Sequence, residues 1–334
     1  MPQKRRKEHK MKTFNRKKFL SDNGIWIVLI ALVILVSILR PAFATLTNLQ
    51  TLLTGESVKG VLAFGVMMAI LSKGTDLSTG SVAGLSAVVS ASLCQMEGGS
   101  KLLKMGTMPA IVGVLAGLLV GIIIGFANGC MVAYLHLHPF IATLGTQLIC
   151  RAAAKIYTNM PVSNLSSGFR FLGSGKVGPI PMIIIVFLVI FAVAAFILKY
   201  TQFGKSVYAV GGNDQAARVA GINVEHTLVR VYIWCSFCAA LGGVLLAGRA
   251  ASADPANSGL NYELDAIAAA TVGGTSQTGG ICRVSGVLCG ILIMGVINNG
   301  LVMLGVDDNM TNIIKGLIII GSVAIDMRKN RVKA

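Results

Sequence analysis

Charge is scarce in this chain: only 13% of its 334 residues are Asp, Glu, Lys or Arg, against about a quarter in a soluble domain. With 54% of the residues hydrophobic, that shortage excludes an ordinary water-soluble globule. Histidine is rarer still, at four residues. His136 and His138 stand two apart before Pro139, so a helix would turn them to different faces, and no cysteine or carboxylate is near to complete a metal site. A nucleotide-binding loop is lacking too. Gly204-Lys205-Ser206 has the ending of one, but the leading glycine is replaced by Lys199 and no strand precedes it. Gly173-Ser174-Gly175-Lys176 fails because Val177 follows. No serine, cysteine or carboxylate is paired with a base in a way that suggests a hydrolase. Polar stretches of domain size are absent, so enzyme chemistry has no seat here.

What is present is a series of long apolar runs rather than alternating ten-residue segments, which indicates membrane helices, not a barrel. The expected fold is an all-α polytopic membrane protein of about ten helices. Spans are expected near residues 25–39, 57–72, 82–95, 108–131, 140–158, 179–198, 227–248, 262–274, 284–303 and 310–326. Those flanking 73–81 and 275–283 fall short of the ~20 residues that cross a bilayer, which suggests broken or re-entrant segments. Residues 1–24 form a basic tail with nine of the 29 Lys and Arg, residues 25–326 a membrane domain, and residues 327–334 a second basic tail. Basic tails belong on the cytoplasmic side, and two of them require an even number of spans. With so much of the +16 net charge gathered in residues 1–24, nucleic acid is a poor explanation for it. The leader also has the shape of a signal peptide, with Ala42-Phe43-Ala44 as its cleavage site, although the rest of the chain makes best sense with the helix retained. The seven cysteines lie in or beside apolar runs, and the Cys235–Cys238 pair reads as small packing residues.

Residues 199–226 form the main polar interruption. Gly211-Gly212-Asn213-Asp214 supplies a turn and capping oxygens, and Gln215-Ala216-Ala217-Arg218-Val219-Ala220 reads as a short helix of small residues ended by Gly221. Such a bare helix suits docking by another protein. Asp76 is the other conspicuous residue. An ionised aspartate at the bilayer centre costs roughly 2.5–3.5 kcal/mol, and Gly74, Thr75, Ser78, Thr79 and Gly80 make a polar break around it. It reads either as a kinked or broken helix lining a translocation path or its gate, or as a cytoplasmic turn in which Asp76 caps the following helix. Asn128, Thr143, Thr146, Asn298, Asn299 and Lys315 are further polar points inside apolar runs. Gly113, Gly117, Gly121 and Gly125 form a ladder of four-residue steps suited to close helix packing. Gly74-Thr75 with Thr79-Gly80 is echoed by Gly274-Thr275 with Thr278-Gly279.

Four ordered blocks carry a resemblance. They are Lys73-Gly74-Thr75-Asp76-Leu77-Ser78-Thr79-Gly80-Ser81, the run Pro139 to Thr146, the stretch Phe203-Gly204-Lys205 through Gly211-Gly212-Asn213 to Gly221-Ile222, and Tyr262-Glu263-Leu264-Asp265-Ala266-Ile267-Ala268-Ala269 continuing to Thr275. Together they resemble the permease subunits of bacterial ABC importers for simple sugars, in the ribose, xylose and galactose branch. The first and last blocks look most like galactose and methyl-galactoside permeases. The resemblance implies a permease in the bacterial inner membrane, paired with a second copy or a homologue. It also implies a separate cytoplasmic ATPase holding ATP and Mg, docked on Gly204, Gly211, Gly212, Asn213, Gln215, Ala216, Ala217 and Gly221, and an extracytoplasmic sugar-binding protein. No cofactor is expected on this chain. Gln215 stands where the wider family has Glu, which removes one expected ion pair to the ATPase. Gly74, Thr75, Asp76, Ser78, Thr143, Thr146, Asn298 and Asn299 are the candidate path residues. The rival readings are an ion-coupled carrier using Asp76 without an ATPase, and a channel built from a ring of equivalent polar groups.

Overall fold

In lipid each backbone amide must be satisfied within its own segment, and apolar runs of this length do so as helices. The computed structural model describes residues 16–97, 102–103 and 106–331. These fold into α1 (Arg16–Leu39), α2 (Leu46–Leu71), α3 (Thr79–Leu93), α4 (Ala110–Ala133), α5 (Pro139–Tyr157), α6 (Ser167–Ser174), α7 (Met182–Tyr200), α8 (Gln202–Gly212), α9 (Asp214–Val219), α10 (Val224–Ala250), α11 (Tyr262–Val272), α12 (Val284–Met303) and α13 (Asp308–Arg331). A two-residue hairpin, β1 (Lys176–Val177) with β2 (Ile180–Pro181), follows α6. Among the described residues six helices are long and apolar enough to cross a membrane: α2, α4, α7, α10, α12 and α13 over Asn309–Arg328. The residues before Arg16 and after Arg331, which hold most of the two expected basic tails, lie outside the described residues.

Several boundaries differ from expectation. Helix α1 begins nine residues before the apolar run, at Arg16, and α13 continues through the basic residues to Arg331. Helix α2 begins at Leu46, not 57, because Thr45 caps it by accepting from Asn48 N–H at 3.3 Å. Its polar first half hid it: Asn48, Gln50 and Glu56 bond Asn299, the Pro179 carbonyl and Asn298 across the bundle. Helix α11 has only 11 residues, about 16 Å of rise, too little to cross alone.

The core lies between α2 and α10, which are buried over most of their length, with α7 and α3 against them. Phe64 stacks on Phe187 at 5.5 Å, and Trp234 Nε1 donates to the Phe64 carbonyl at 3.1 Å. The glycine ladder of α4 seats that helix on α10 and α3. A Cβ on Gly125 would meet the Tyr232 carbonyl at 2.5 Å, and one on Gly113 the Ser90 carbonyl at 2.7 Å. The opposite face of α4 exposes Ile111, Leu115, Leu119, Ile123 and Phe126, as a lipid-facing stripe does.

Non-helical chain also enters the bundle. The segment from Ser252 to Asn261 starts beside Val162 at one end and descends until Gly259 touches Gly80, in the first turn of α3. Arg151 of α5 makes this tolerable by donating to the carbonyls of Ser258 at 2.7 Å and Ala256 at 3.3 Å. Asp254 folds the entrance of the segment, accepting from Ala256 N–H at 2.8 Å and Asn257 Nδ2 at 2.7 Å. The bond from the Asn257 amide holds its carboxyl below the usual range. Helix α11 therefore starts deep in the bundle.

Candidate functional site

The break after α2 comes first. Helix α2 ends where Lys73 takes a left-handed conformation (φ 63) and Gly74 N–H returns to the Ala69 carbonyl at 2.8 Å. Asp76 follows, fully buried, and its Oδ1 accepts from Ser78 N–H at 2.9 Å and Ser78 Oγ at 2.6 Å. Ser78 Oγ in turn accepts from Asn128 Nδ2 at 3.0 Å, and Asn128 Oδ1 accepts from Thr146 Oγ1 at 2.6 Å. Thr143 Oγ1 accepts from Leu77 N–H at 3.2 Å and lies 3.2 Å from the Thr75 carbonyl. One polar chain thus ties the entrance of α3 to α4 and α5. The side-chain links run Asp76–Ser78–Asn128–Thr146, Thr143 holds the backbone of Thr75 and Leu77 beside them, and Gly74 bonds back to α2 instead.

The expected path residues fall in two separate places. Asn298 and Asn299 do not join this group: on α12 they bond Glu56 at 3.1 Å and Asn48 at 3.0 Å. Asp76, Ser78 and Thr143 have no exposed surface and lie inside the break. The reading in which Asp76 caps the next helix does not hold: the N-cap residue of α3 is Ser78, with no side-chain cap bond, and the Asp76 carboxylate instead closes a turn onto Ser78, buried within the bundle. The Tyr232 hydroxyl of α10, packed on Gly74, is buried without a hydrogen-bond partner.

The polar loop is the second part. It folds as two helices, so Gly211 and Gly212 close α8 and do not form a turn. Asn213 caps α9, its Oδ1 accepting from Ala216 N–H at 3.0 Å. Gly221 (φ +82) ends that turn, and Ile222 N–H returns to the Ala217 carbonyl at 3.0 Å. Ala217 packs inward on Val210 and Val224, and Arg218 pairs with Glu225 of α10 at 2.5 Å. Gly204 and Gly211 are buried against the backbones of α7 and Leu71, so neither offers surface to a partner; this corrects their place among the docking residues. Gly212, Asn213, Gln215, Ala216 and Gly221 are exposed. Sequence reasoning missed Val219, which is 91% exposed at the tip. Replacing Asn213 with alanine removes a cap worth about 1 kcal/mol, so hydrogen exchange at Ala216 should quicken about five-fold, read by mass spectrometry of the 213–223 peptide.

Both parts share a cavity of about 290 Å³, lined by Lys73 and Gly74 of the break, His136 of the α4–α5 turn, Arg218 of α9 and Tyr232 of α10. The turn between α11 and α12 reaches the same place, with Gly280 N–H donating to the Leu71 carbonyl at 2.9 Å. The packed route from α9 to the end of α2 runs through α8, where Val210 meets Ala217 and Gly211 lies against the Leu71 carbonyl. Among the described residues no three His, Cys, Asp or Glu side chains form a metal-binding group.

The comparisons with known proteins fit this geometry. Residues 48–323 match the family model described as branched-chain amino acid transport system, permease component. The chain belongs to this permease family. The permease is 42% identical over 332 residues to the galactose/methyl galactoside import permease protein MglC of Salmonella typhimurium, covering 96% of this chain and 98% of that protein. It is 37% identical over 320 residues to the ribose import permease protein RbsC of Escherichia coli K12, covering 94% and 96%, and 38% identical over 310 residues to RbsC of Bacillus subtilis, covering 92% and 93%. No solved structure matches the permease. The relatives are transport subunits, and the permease, like them, is read as a non-enzyme.

Proposed function

We propose that this permease is the membrane subunit of an ATP-driven importer for a monosaccharide, of the galactose or methyl-galactoside kind. The observation that carries the sugar is 42% identity to MglC across nearly the whole of both chains. The observation that supports the motor coupling is α9: a capped, exposed helix tied to α10 and sharing a cavity with the broken end of α2. The permease works as a pair, with a second copy or a homologue. A separate ATPase carrying ATP and Mg docks on α9 from the cytoplasm, and an extracytoplasmic binding protein delivers the sugar. No cofactor belongs to this chain.

In this reading α1, α2, α3, α4, α5, α7, α10, α12 and α13, with α11 completed by the non-helical segment that leads into it, make ten crossings of the bacterial inner membrane, with both termini cytoplasmic. The loops agree with alternating direction. Leu71, His136, Asp214 and Gly280 gather at the α9 end, while the Gln50–Pro179, Asn48–Asn299 and Val162–Ala253 contacts gather at the other. ATP binding closes the motor, α9 moves, and the shift reaches the Asp76 break through α8 and the end of α2, changing the side to which the path opens.

The test is uptake of labelled galactose into proteoliposomes holding permease and ATPase, with ATP inside and loaded binding protein outside. Uptake that requires ATP supports the proposal; uptake driven by an ion gradient without the ATPase would sink it. Asp76 separates the two mechanisms again. As the acceptor that closes a turn its Oδ1 can be replaced by an amide oxygen, so Asp76→Asn should retain uptake within about three-fold, while Asp76→Leu loses most of it. A carrier that moves an ion on Asp76 would lose uptake with both variants.

A further inference from the structure

Four charged side chains inside the bundle take no part in the docking helix or the break. Lys59 of α2 places Nζ 2.7 Å from Asp265 Oδ2 of α11, 3.8 Å from Glu56 Oε1 and 5.5 Å from the centre of the Tyr262 ring. Lys315 reaches Asp265 Oδ1 from α13 at 3.4 Å. Asn298 of α12 donates to Glu56 Oε1 at 3.1 Å. The group lies deep, since α11 begins where the re-entrant segment reaches the level of Gly80, and Lys59 is three turns of α2 from that helix's end at Leu71.

Packing alone gives no reason for this arrangement, because an apolar set of the same volume usually holds helices together as well or better. The charges are also not sealed. Their side chains keep 11–18% exposure, so they lie on a seam between helices. Two more polar atoms on the flanking helices are buried with no partner: Asn298 Oδ1, and Thr311 Oγ1, one helical turn before Lys315 on the same face of α13. Thr311 is 6% exposed. A bare cation would meet two ammonium groups here and an anion two carboxylates. A neutral molecule rich in hydroxyls matches the balanced set, since each hydroxyl both donates and accepts.

We infer that this seam binds the hydroxyls of the transported monosaccharide within the membrane, an inference that rests on the sugar-permease reading above. Glu56 and Asp265 accept from sugar hydroxyls, Lys59 and Lys315 donate to them, and Asn298 Oδ1 and Thr311 Oγ1 find the partners they lack. The seam makes the permease itself selective, beyond the selection made by the binding protein.

The experiment pairs permease variants with sugar analogues. Proteoliposomes holding permease and ATPase, with binding protein saturated outside, are given the parent sugar or analogues each lacking one hydroxyl. For Asp265→Asn, uptake of the parent should fall about ten-fold, while that of at least one deoxy analogue falls less than about two-fold, because the hydroxyl that used the carboxylate is already gone. Thr311→Val, which keeps the side-chain shape, should show the same pattern at about three-fold. It decides the matter if Asp265→Asn does not assemble. A fall by one common factor for every sugar would mean that these residues hold the helices only, and would overturn the inference. Absence of ATP-dependent uptake by the unaltered permease would instead overturn the importer reading itself, and would be seen before any variant is compared.

Discussion

Gly125→Leu is expected to yield no monodisperse permease from detergent, whereas Gly321→Leu yields the normal amount. At Gly125 the first added carbon would lie 2.5 Å from the Tyr232 carbonyl, 2.8 Å from the Ile233 Cα and 2.9 Å from the Ser236 Cβ. Two of those neighbours are backbone of the central helix α10 and cannot swing aside. Overpacking of this kind costs about 1–3 kcal/mol even where side chains can adjust, and here α4 must leave its seat on α10. Losing that seat also parts Asn128 from Ser78, so the Asp76 break loses its anchor. At Gly321 on α13 nothing lies within 4 Å, and a leucine adds one more apolar group to an exposed helix. Size-exclusion profiles of the two variants, with membrane levels by immunoblot, make the comparison. Equal profiles would mean that the glycine ladder does not seat α4.

The second large effect is expected at Gly221. Its φ of +82 is reached readily by glycine, with difficulty by most other residues, and least by those branched at Cβ. Gly221→Val should strain the end of α9 by at least about 1–2 kcal/mol and turn the helix off its seat on Val210 and Val224. Sugar uptake in proteoliposomes should fall more than about ten-fold, with the ATPase no longer co-purifying. Gly221→Asn should keep most of both activities, because asparagine accepts the left-handed conformation. Space is not the issue, since no atom lies within 4 Å of a Cβ built there. The contrast between Val and Asn therefore reads backbone conformation alone. Equal behaviour of the two would show that the turn has no part in coupling.

How much of this was legible in the sequence depended on how local the physics was. The cap at Asn213 and the stop at Gly221 act within a few residues of α9, so the order of residues alone placed them. The ladder at Gly113, Gly117, Gly121 and Gly125 was legible because its spacing matches a helix face, whatever the partner. Gly204 and Gly211 misled because a conspicuous glycine can serve either a partner's approach or the chain's own. Only the neighbouring backbones of Leu198 and Leu71 show that it is the latter. The contacts that set the membrane interior were hidden for a different reason: Glu56 with Asn298, Lys59 with Asp265 and Arg151 with Ser258 join residues about a hundred to more than two hundred positions apart. Starting the second span at 57 left Glu56 outside it, because the polar first half of α2 does not look like a membrane helix until its partners on α12 are known. Arg151 sat inside an expected span without drawing notice, and its use became visible only with the re-entrant carbonyls it satisfies.

The most direct measurement is capture of the ATPase from detergent by the unaltered permease and by a variant with residues 213–221 scrambled, both checked for monodispersity. The unaltered permease is predicted to hold the ATPase, and the scrambled variant to lose it while remaining folded. Equal capture by both, or sugar uptake by the unaltered permease with no ATPase present, would contradict the account.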